Sequence, residues 1–193
     1  MEVEKSETPQ ASSFGVSLLA IGLGNPLIQN GGKVMCISRR SQVDGAVLRI
    51  LLRHNGQLAV RELNDTAGHF IINSSTRILV RYASGKNGRW RFTLREEDIA
   101  TLLNDYAQSG LFGAYLILVC GQEAVGVLSP DEWCQLLDLG GNYKVQTITI
   151  CRDARCQMEV TGTRGRLAYR IPAARFPRMI LGQRGFRRRP QVT

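Results

Sequence analysis

The sequence predicts an α/β domain, a mixed sheet flanked by helices with a C-terminal antiparallel meander, on three observations. Helix start signals occur at three well-separated points; a continuous apolar run between the second and third has the length of a strand covered on both faces; and three β-rich segments joined by short turns follow the last helix.

The first helix is predicted at Ser41, with Asp44 three residues on, an apolar face of Val47, Ile50 and Leu51, and a stop at Gly56. Residues 69–94, "HFIINSSTRILVRYASGKNGRWRFTL", are rich in β-branched and aromatic side chains. They read as sheet, with a hairpin turning at Asn87-Gly88, an earlier third strand, and Trp90 and Phe92 directed into the core. The second helix is predicted from Thr93, with Glu96 in the capping-box position, through Ile99, Leu102, Leu103 and Tyr106 to a stop before Gly110. "AYLILVC" at 114–120 is the doubly covered central strand, and "EAVGVL" at 123–128 adds a short one. The third helix reads "SPDEWCQLLDLGG": Ser129 caps it, Pro130 opens it, Glu132 closes the box, Trp133, Leu136 and Leu137 point inward, and Gly140 terminates it. "VQTITIC", "CQMEVTG" and "RLAYRIP" form the closing meander.

At 193 residues, 44% hydrophobic and 21% charged, the chain has the composition of one folded domain, which excludes wholesale disorder. Residues 1–34 are read as a leader, 35–174 as the domain and 175–193 as a basic tail. Five irregularly spaced cysteines do not make a disulfide framework and point to a reducing compartment. The apolar segment at 14–23 follows Glu2, Glu4 and Glu7, not the basic leader of an export signal, and no window has the length of a membrane span. A cytoplasmic protein without membrane contact is expected.

Charge is unevenly distributed. Residues 41–95 carry nine Lys/Arg and three acids, residues 96–138 eight acids and no base, and residues 139–193 twelve bases and two acids. Two basic blocks therefore flank an acidic one, and the formal charge of +9 conceals this. Arg77, Arg81, Arg89 and Arg91 of the predicted hairpin, with Arg184, Arg187, Arg188 and Arg189 of the tail, are the expected phosphate contacts. Guanidinium groups bind phosphates through paired hydrogen bonds and stack on bases, and strand alternation puts Arg77 with Arg81 and Arg89 with Arg91. Nucleic acid, DNA or RNA, is the expected partner, with the acidic helices of 96–138 turned away and available to a protein partner.

The stretch from residue 41 to about 120, helix, strands, helix, strand, resembles the core of the PD-(D/E)XK nuclease-like fold. In such enzymes two carboxylates hold a divalent metal that generates the attacking hydroxide, and a lysine steadies the nucleophile. In "FIINSSTRILVRYAS", Asn73 falls where the Asp belongs and Leu79-Val80-Arg81 where Glu-x-Lys belongs. A neutral amide and a leucine do not bind Mg²⁺, so the resemblance implies a pseudonuclease: no catalytic residue, no metal, no cofactor. An alternative is a divergent metal-dependent nuclease with displaced carboxylates at Glu62 and Asp65.

A second alternative is a winged-helix regulator, since "VLRILLRHNGQLAVRELNDTAG" resembles its first two helices and "RILVRYASGKNGRWRF" its wing. Residues 69–75, where a recognition helix belongs, are too short and too β-rich for one. Cys151 and Cys156 straddle a turn without the further ligands of a zinc site. His54 and His69 stand outside any nucleophile motif, and the glycine turns at 22–26 and 162–165 lack the context of a phosphate loop. The reading that follows is a nucleic-acid-binding or complex-assembling accessory protein that is not an enzyme.

Overall fold

The computed structural model describes residues 37–54, 57–63, 66–109 and 113–182. All of these residues fall in a single compact unit. The predicted leader, Gly56, Asp65 and Gly110 lie outside the described residues.

Helix α1, Arg39–His54, starts earlier than the sequence suggests because Ser38, not Ser41, is its cap: the Ser38 hydroxyl accepts the Ser41 N–H at 3.1 Å. Val47 and Leu51 are buried on one face of it, whereas Ile50, expected inward, is 38% exposed. Strands β1 (Val60–Glu62), β2 (His69–Ile72) and β3 (Thr76–Ala83) form an antiparallel meander. Strand β5 (Ala114–Cys120) lies parallel to β3, and β6 (Ala124–Leu128) closes the sheet in the order β1-β2-β3-β5-β6. A parallel pair needs a long crossover, and here it runs through β4 (Arg89–Arg95) and α2 (Glu96–Ser109).

The predicted hairpin is not formed. β4 leaves the first sheet and joins β7 (Val145–Arg152), β8 (Gln157–Gly162) and β9 (Ile171–Pro172) in a second, antiparallel sheet ordered β4-β7-β8-β9. Two different hydrophobic patterns explain the separation. β3 is apolar at both parities, with Ile78 and Val80 on one face and Leu79 and Ala83 on the other, so both of its edges and both of its faces are covered. β4 alternates strictly between exposed and buried, the pattern of a strand with one face in water. With Arg89, Arg91 and Arg95 all on its exposed side, β4 sits where that side meets water. Asn87 (φ 55°) and Gly88 (φ 71°) still make a tight turn, but it closes only the bridge between Lys86 and Arg89.

The two sheets pack face to face. Leu79, Leu116, Leu118 and Leu128 of the first meet Trp90, Phe92, Leu94, Ile148, Ile150 and Val160 of the second, with Ile99 and Leu102 of α2 and Trp133 and Leu136 of α3 (Pro130–Leu136) completing that core. The other face of the first sheet, Ile78, Val80, Tyr115 and Ile117, is covered by α1 and by Phe176 and Ile180 of the C-terminal segment. That segment, a 3₁₀ turn at Ala173–Arg175 followed by α4 (Arg178–Leu181), belongs to the packed body. The boundary expected at residue 174 therefore falls too early. α2 also begins later than predicted, at Glu96, because Thr93 is a strand residue. The capping box of α3 forms as read: the Ser129 N–H donates to the Glu132 carboxylate at 2.8 Å.

Gly162 ends β8 against the last turn of α3, where an added Cβ would stand 2.2 Å from the Leu136 carbonyl oxygen. Gly162→Ala is expected to lower folding stability by about 1–3 kcal/mol through overpacking. Thermal unfolding checks this, and wild-type stability would mean that α3 and β8 are not held so closely. Among the described residues no helix is long and apolar enough to cross a membrane.

Candidate nucleic-acid interface

The arginines singled out in the sequence divide between two environments. Arg77 and Arg81 share one face of β3, as alternation requires, but it is the face turned toward α2. Four strand steps separate them by about 13 Å, and the seven helical steps from Asp98 to Asp105 span about 10 Å, so each guanidinium meets its own carboxylate. Arg81 Nε donates to Asp98 Oδ1 at 3.1 Å, Nη2 reaches the same oxygen, and Nη1 donates to the carbonyls of Val80 (2.6 Å) and Ala67 (3.0 Å). Arg77 lies 3.5 Å from Asp105 and donates to the Ser109 hydroxyl at 2.9 Å. Asp98 and Asp105 are 4% and 2% exposed. The acidic helix is therefore not turned away from the basic strand: α2 lies against it and neutralises it.

Asp105 also accepts from His69, whose Nε2 is 2.7 Å away and which is itself buried. A carboxylate oxygen accepts, so the bridging proton belongs on Nε2, and among the described residues Nδ1 has no partner. This buried His-Asp-Arg cluster was not legible in the sequence, where His69 reads only as the first residue of a strand.

Where the nuclease-like resemblance expects metal ligands, the structure shows other work. Asn73 holds a turn in the left-handed region (φ 51°), with its side-chain oxygen accepting the Ala59 N–H at 3.2 Å. Leu79 is fully buried. A cavity of about 350 Å³ at the start of α2 is lined by Arg40, Arg81, Thr93, Arg95, Glu97 and Asp98, among others. Near it Asp44 titrates above the ordinary carboxylate range, chiefly because burial disfavours its charge, with Arg40 opposing and Glu62 reinforcing the effect. Asp65 lies outside the described residues. Among the described residues no three His, Cys, Asp or Glu side chains are grouped to hold a metal ion. Residues 69–72 are strand β2, so the recognition helix of a winged-helix protein is not at that place.

Arg89 and Arg91 stand on the outer face of the second sheet. Residues opposite one another in an antiparallel pair point to the same side, so the register defines rows across this face. The first row is Arg89, Cys151, Glu159; the second is Arg91, Thr149, Thr161, Arg166; the fourth pairs Arg95 with Val145. Between them Thr93 stands opposite Thr147, whose N–H donates to the Thr163 hydroxyl at 3.0 Å. Arg89, Arg91, Thr93, Arg95, Thr161 and Arg166 are exposed, whereas the alternate residues Trp90 and Phe92 are buried as predicted, and Leu94 is buried with them. No described element covers the face.

Its charges are free to a degree that those of β3 are not. Arg89, Arg91 and Arg166 have no ion-pair partner among the described residues, and Arg95 has only a loose contact, 3.7 Å to Glu97. Arg170 is spent on Asp153 (2.8 Å) and Glu159 (3.9 Å). Arg152, at the end of β7, is held by the Glu123 carboxylate at 2.7 Å and lies over the Trp90 ring at 5.7 Å. A groove of about 540 Å³ borders the face along Glu159 and residues 166–170. Arg184, Arg187, Arg188 and Arg189 lie outside the described residues.

No protein-family model matches the chain, and no curated protein does.

Proposed function

We propose that the protein binds nucleic acid without cutting it, through the outer face of the second sheet. The observation that carries this reading is the pair of unpartnered arginines, Arg89 and Arg91, on an uncovered strand face that continues across threonines to Arg166. An exposed guanidinium with no carboxylate beside it is free to take a phosphate, and the flanking hydroxyls offer further hydrogen bonds. The site residues proposed from the sequence are thereby narrowed: Arg89 and Arg91 keep the phosphate role, joined by Arg95 and Arg166, and Arg77 and Arg81 are assigned to the fold. The tail arginines remain part of the proposal through their composition.

The order α1, β1-β2-β3, α2, β5, with β5 parallel to β3, supports the likeness to a nuclease-like core, and Arg81 in the lysine position, bound to Asp98, supports its being non-catalytic. A cytoplasmic setting is supported by the unbridged thiols of Cys120, Cys134, Cys151 and Cys156. A protein partner on the acidic helices is the weaker reading, because Asp98, Asp105 and Glu132 are spent inside the fold.

A gel shift with single- and double-stranded DNA and RNA at several salt concentrations, Mg²⁺ present, tests the proposal. Retention that weakens with salt and no cleavage are expected. Arg89→Gln and Arg91→Gln should each weaken binding about tenfold, the cost of one charged hydrogen-bonded contact. Unchanged binding by the double variant, or turnover of the substrate, would refute the proposal.

A further inference from the structure

Resting on that reading, we infer that the ligand is a single strand, DNA or RNA, lying in a threonine-floored trough between two arginine rims. One rim is β4, whose Arg89 and Arg91 stand about 7 Å apart, with Arg95 about 14 Å beyond Arg91. The other is Arg166, which faces Thr161 across the far edge of the row. Three strand spacings separate Arg91 from Arg166, about 14 Å. Between the rims the floor is Thr147, Thr149 and Thr161, with Cys151 and Glu159 in the row beside Arg89, where Arg170 stands 3.9 Å from the Glu159 carboxylate.

This shape discriminates between nucleic-acid forms. The major groove of a duplex is about 12 Å wide and admits a helix or a two-stranded ribbon. A four-stranded platform already measures about 14 Å between its outer strands before side chains are counted, so it does not enter. A duplex resting on the rims would leave the threonine floor without partners. A single strand settles onto it: its phosphates meet the rim arginines, its bases lie over the floor, and hydroxyls that both donate and accept suit any base edge. The rows described carry no aromatic platform, so stacking falls to the guanidinium planes and sequence preference is weak.

The test is fluorescence anisotropy of the full-length chain with a labelled oligothymidylate of about 16 nucleotides, a mixed-sequence RNA of that length and a matched duplex, each across a salt series. Single strands are expected to bind at least tenfold more tightly than the duplex. The four rim arginines contribute about −2.8 to the slope of log K against log salt, and Arg91→Gln with Arg166→Gln reduces the slope's magnitude by about 1.4. Thr149→Glu, which sets a carboxylate in the central row directly beside Arg91, unlike Glu159 with its Arg170 contact, is expected to abolish single-strand binding. Unchanged circular dichroism of these surface variants separates lost binding from lost folding. A duplex bound as tightly, through the same arginines, overturns the single-strand inference and leaves the proposed function standing. Single-strand binding that ignores the Arg91, Arg166 and Thr149 variants overturns the trough, and no binding of any probe overturns the proposed function itself.

Discussion

Arg81→Ala is expected to destabilise the fold by about 3–5 kcal/mol, the cost of removing one partner from a buried ion pair. Its side chain is 10% exposed and that of Asp98 is 6% exposed, so neither charge has water to fall back on. Without Arg81, Asp98 Oδ1 loses its guanidinium donors and the carbonyl of Ala67 loses its 3.0 Å contact. Asp98 has a second duty, since Oδ2 accepts the Arg95 N–H at 2.9 Å and ties the end of β4 to the start of α2. Asp98→Ala is therefore expected to cost as much, and the pair Arg81→Met with Asp98→Leu less than the two single losses combined, because no unpaired charge then remains. Urea unfolding measures all three. An Arg81→Ala protein of normal stability that has lost nucleic-acid binding would reverse the assignment and make Arg81 a contact.

The second large effect is expected at Glu132, 1% exposed beneath the C-terminal segment. Its carboxylate accepts from the Ser129 N–H and hydroxyl (2.8 and 3.0 Å), from the Tyr169 hydroxyl (2.6 Å) and from Arg175 (2.6 Å), so one side chain closes the α3 capping box and anchors the chain after β8. Burial alone would raise its pKa; the hydrogen bonds from Arg175, Tyr169 and Ser129, with the Arg175 charge, together outweigh it and hold the group below its ordinary value. Glu132→Ala is expected to cost about 3–5 kcal/mol, leaving Arg175 and Tyr169 without their acceptor. Because the folded pKa is depressed, the contribution is complete at neutral pH and is lost as pH falls below the ordinary glutamate value of 4.5 and through the folded one. Stability measured from pH 7 downward should therefore fall more steeply for the wild type than for Glu132→Gln. Parallel curves would show that the carboxylate's charge is not what holds the segment.

Much of the architecture was legible because its signals are local. The Ser129 cap, the doubly covered run at 114–120 and the inward alternation of Trp90 and Phe92 each rest on a few neighbouring residues and a fixed period. The division of strands between sheets was not legible, although a cue was present: β4 alternates strictly and β3 does not, which marks them as strands for different surroundings. The fate of the arginines was partly readable. Alternation correctly puts Arg77 with Arg81 and Arg89 with Arg91, but which pair meets water depends on where α2 lies, and that is a tertiary fact. The spacing of Asp98 and Asp105, seven apart on an amphipathic helix, is the signal that pointed to it, since both fall on one face with Ile99 and Leu102. The C-terminal segment misled through its charge: Arg175 and Arg178 read as tail, while Phe176 and Ile180 beside them bury against the first sheet.

The central claim, that the outer face of the β4-β7-β8 sheet carries the nucleic-acid contact, is tested most directly by following backbone amide resonances as a short oligonucleotide is added. Shifts concentrated at Arg89, Arg91, Thr93, Thr149, Thr161 and Arg166, with Arg77, Arg81 and α2 unmoved, are the predicted result. Shifts confined to α1, α2 or the first sheet would contradict it.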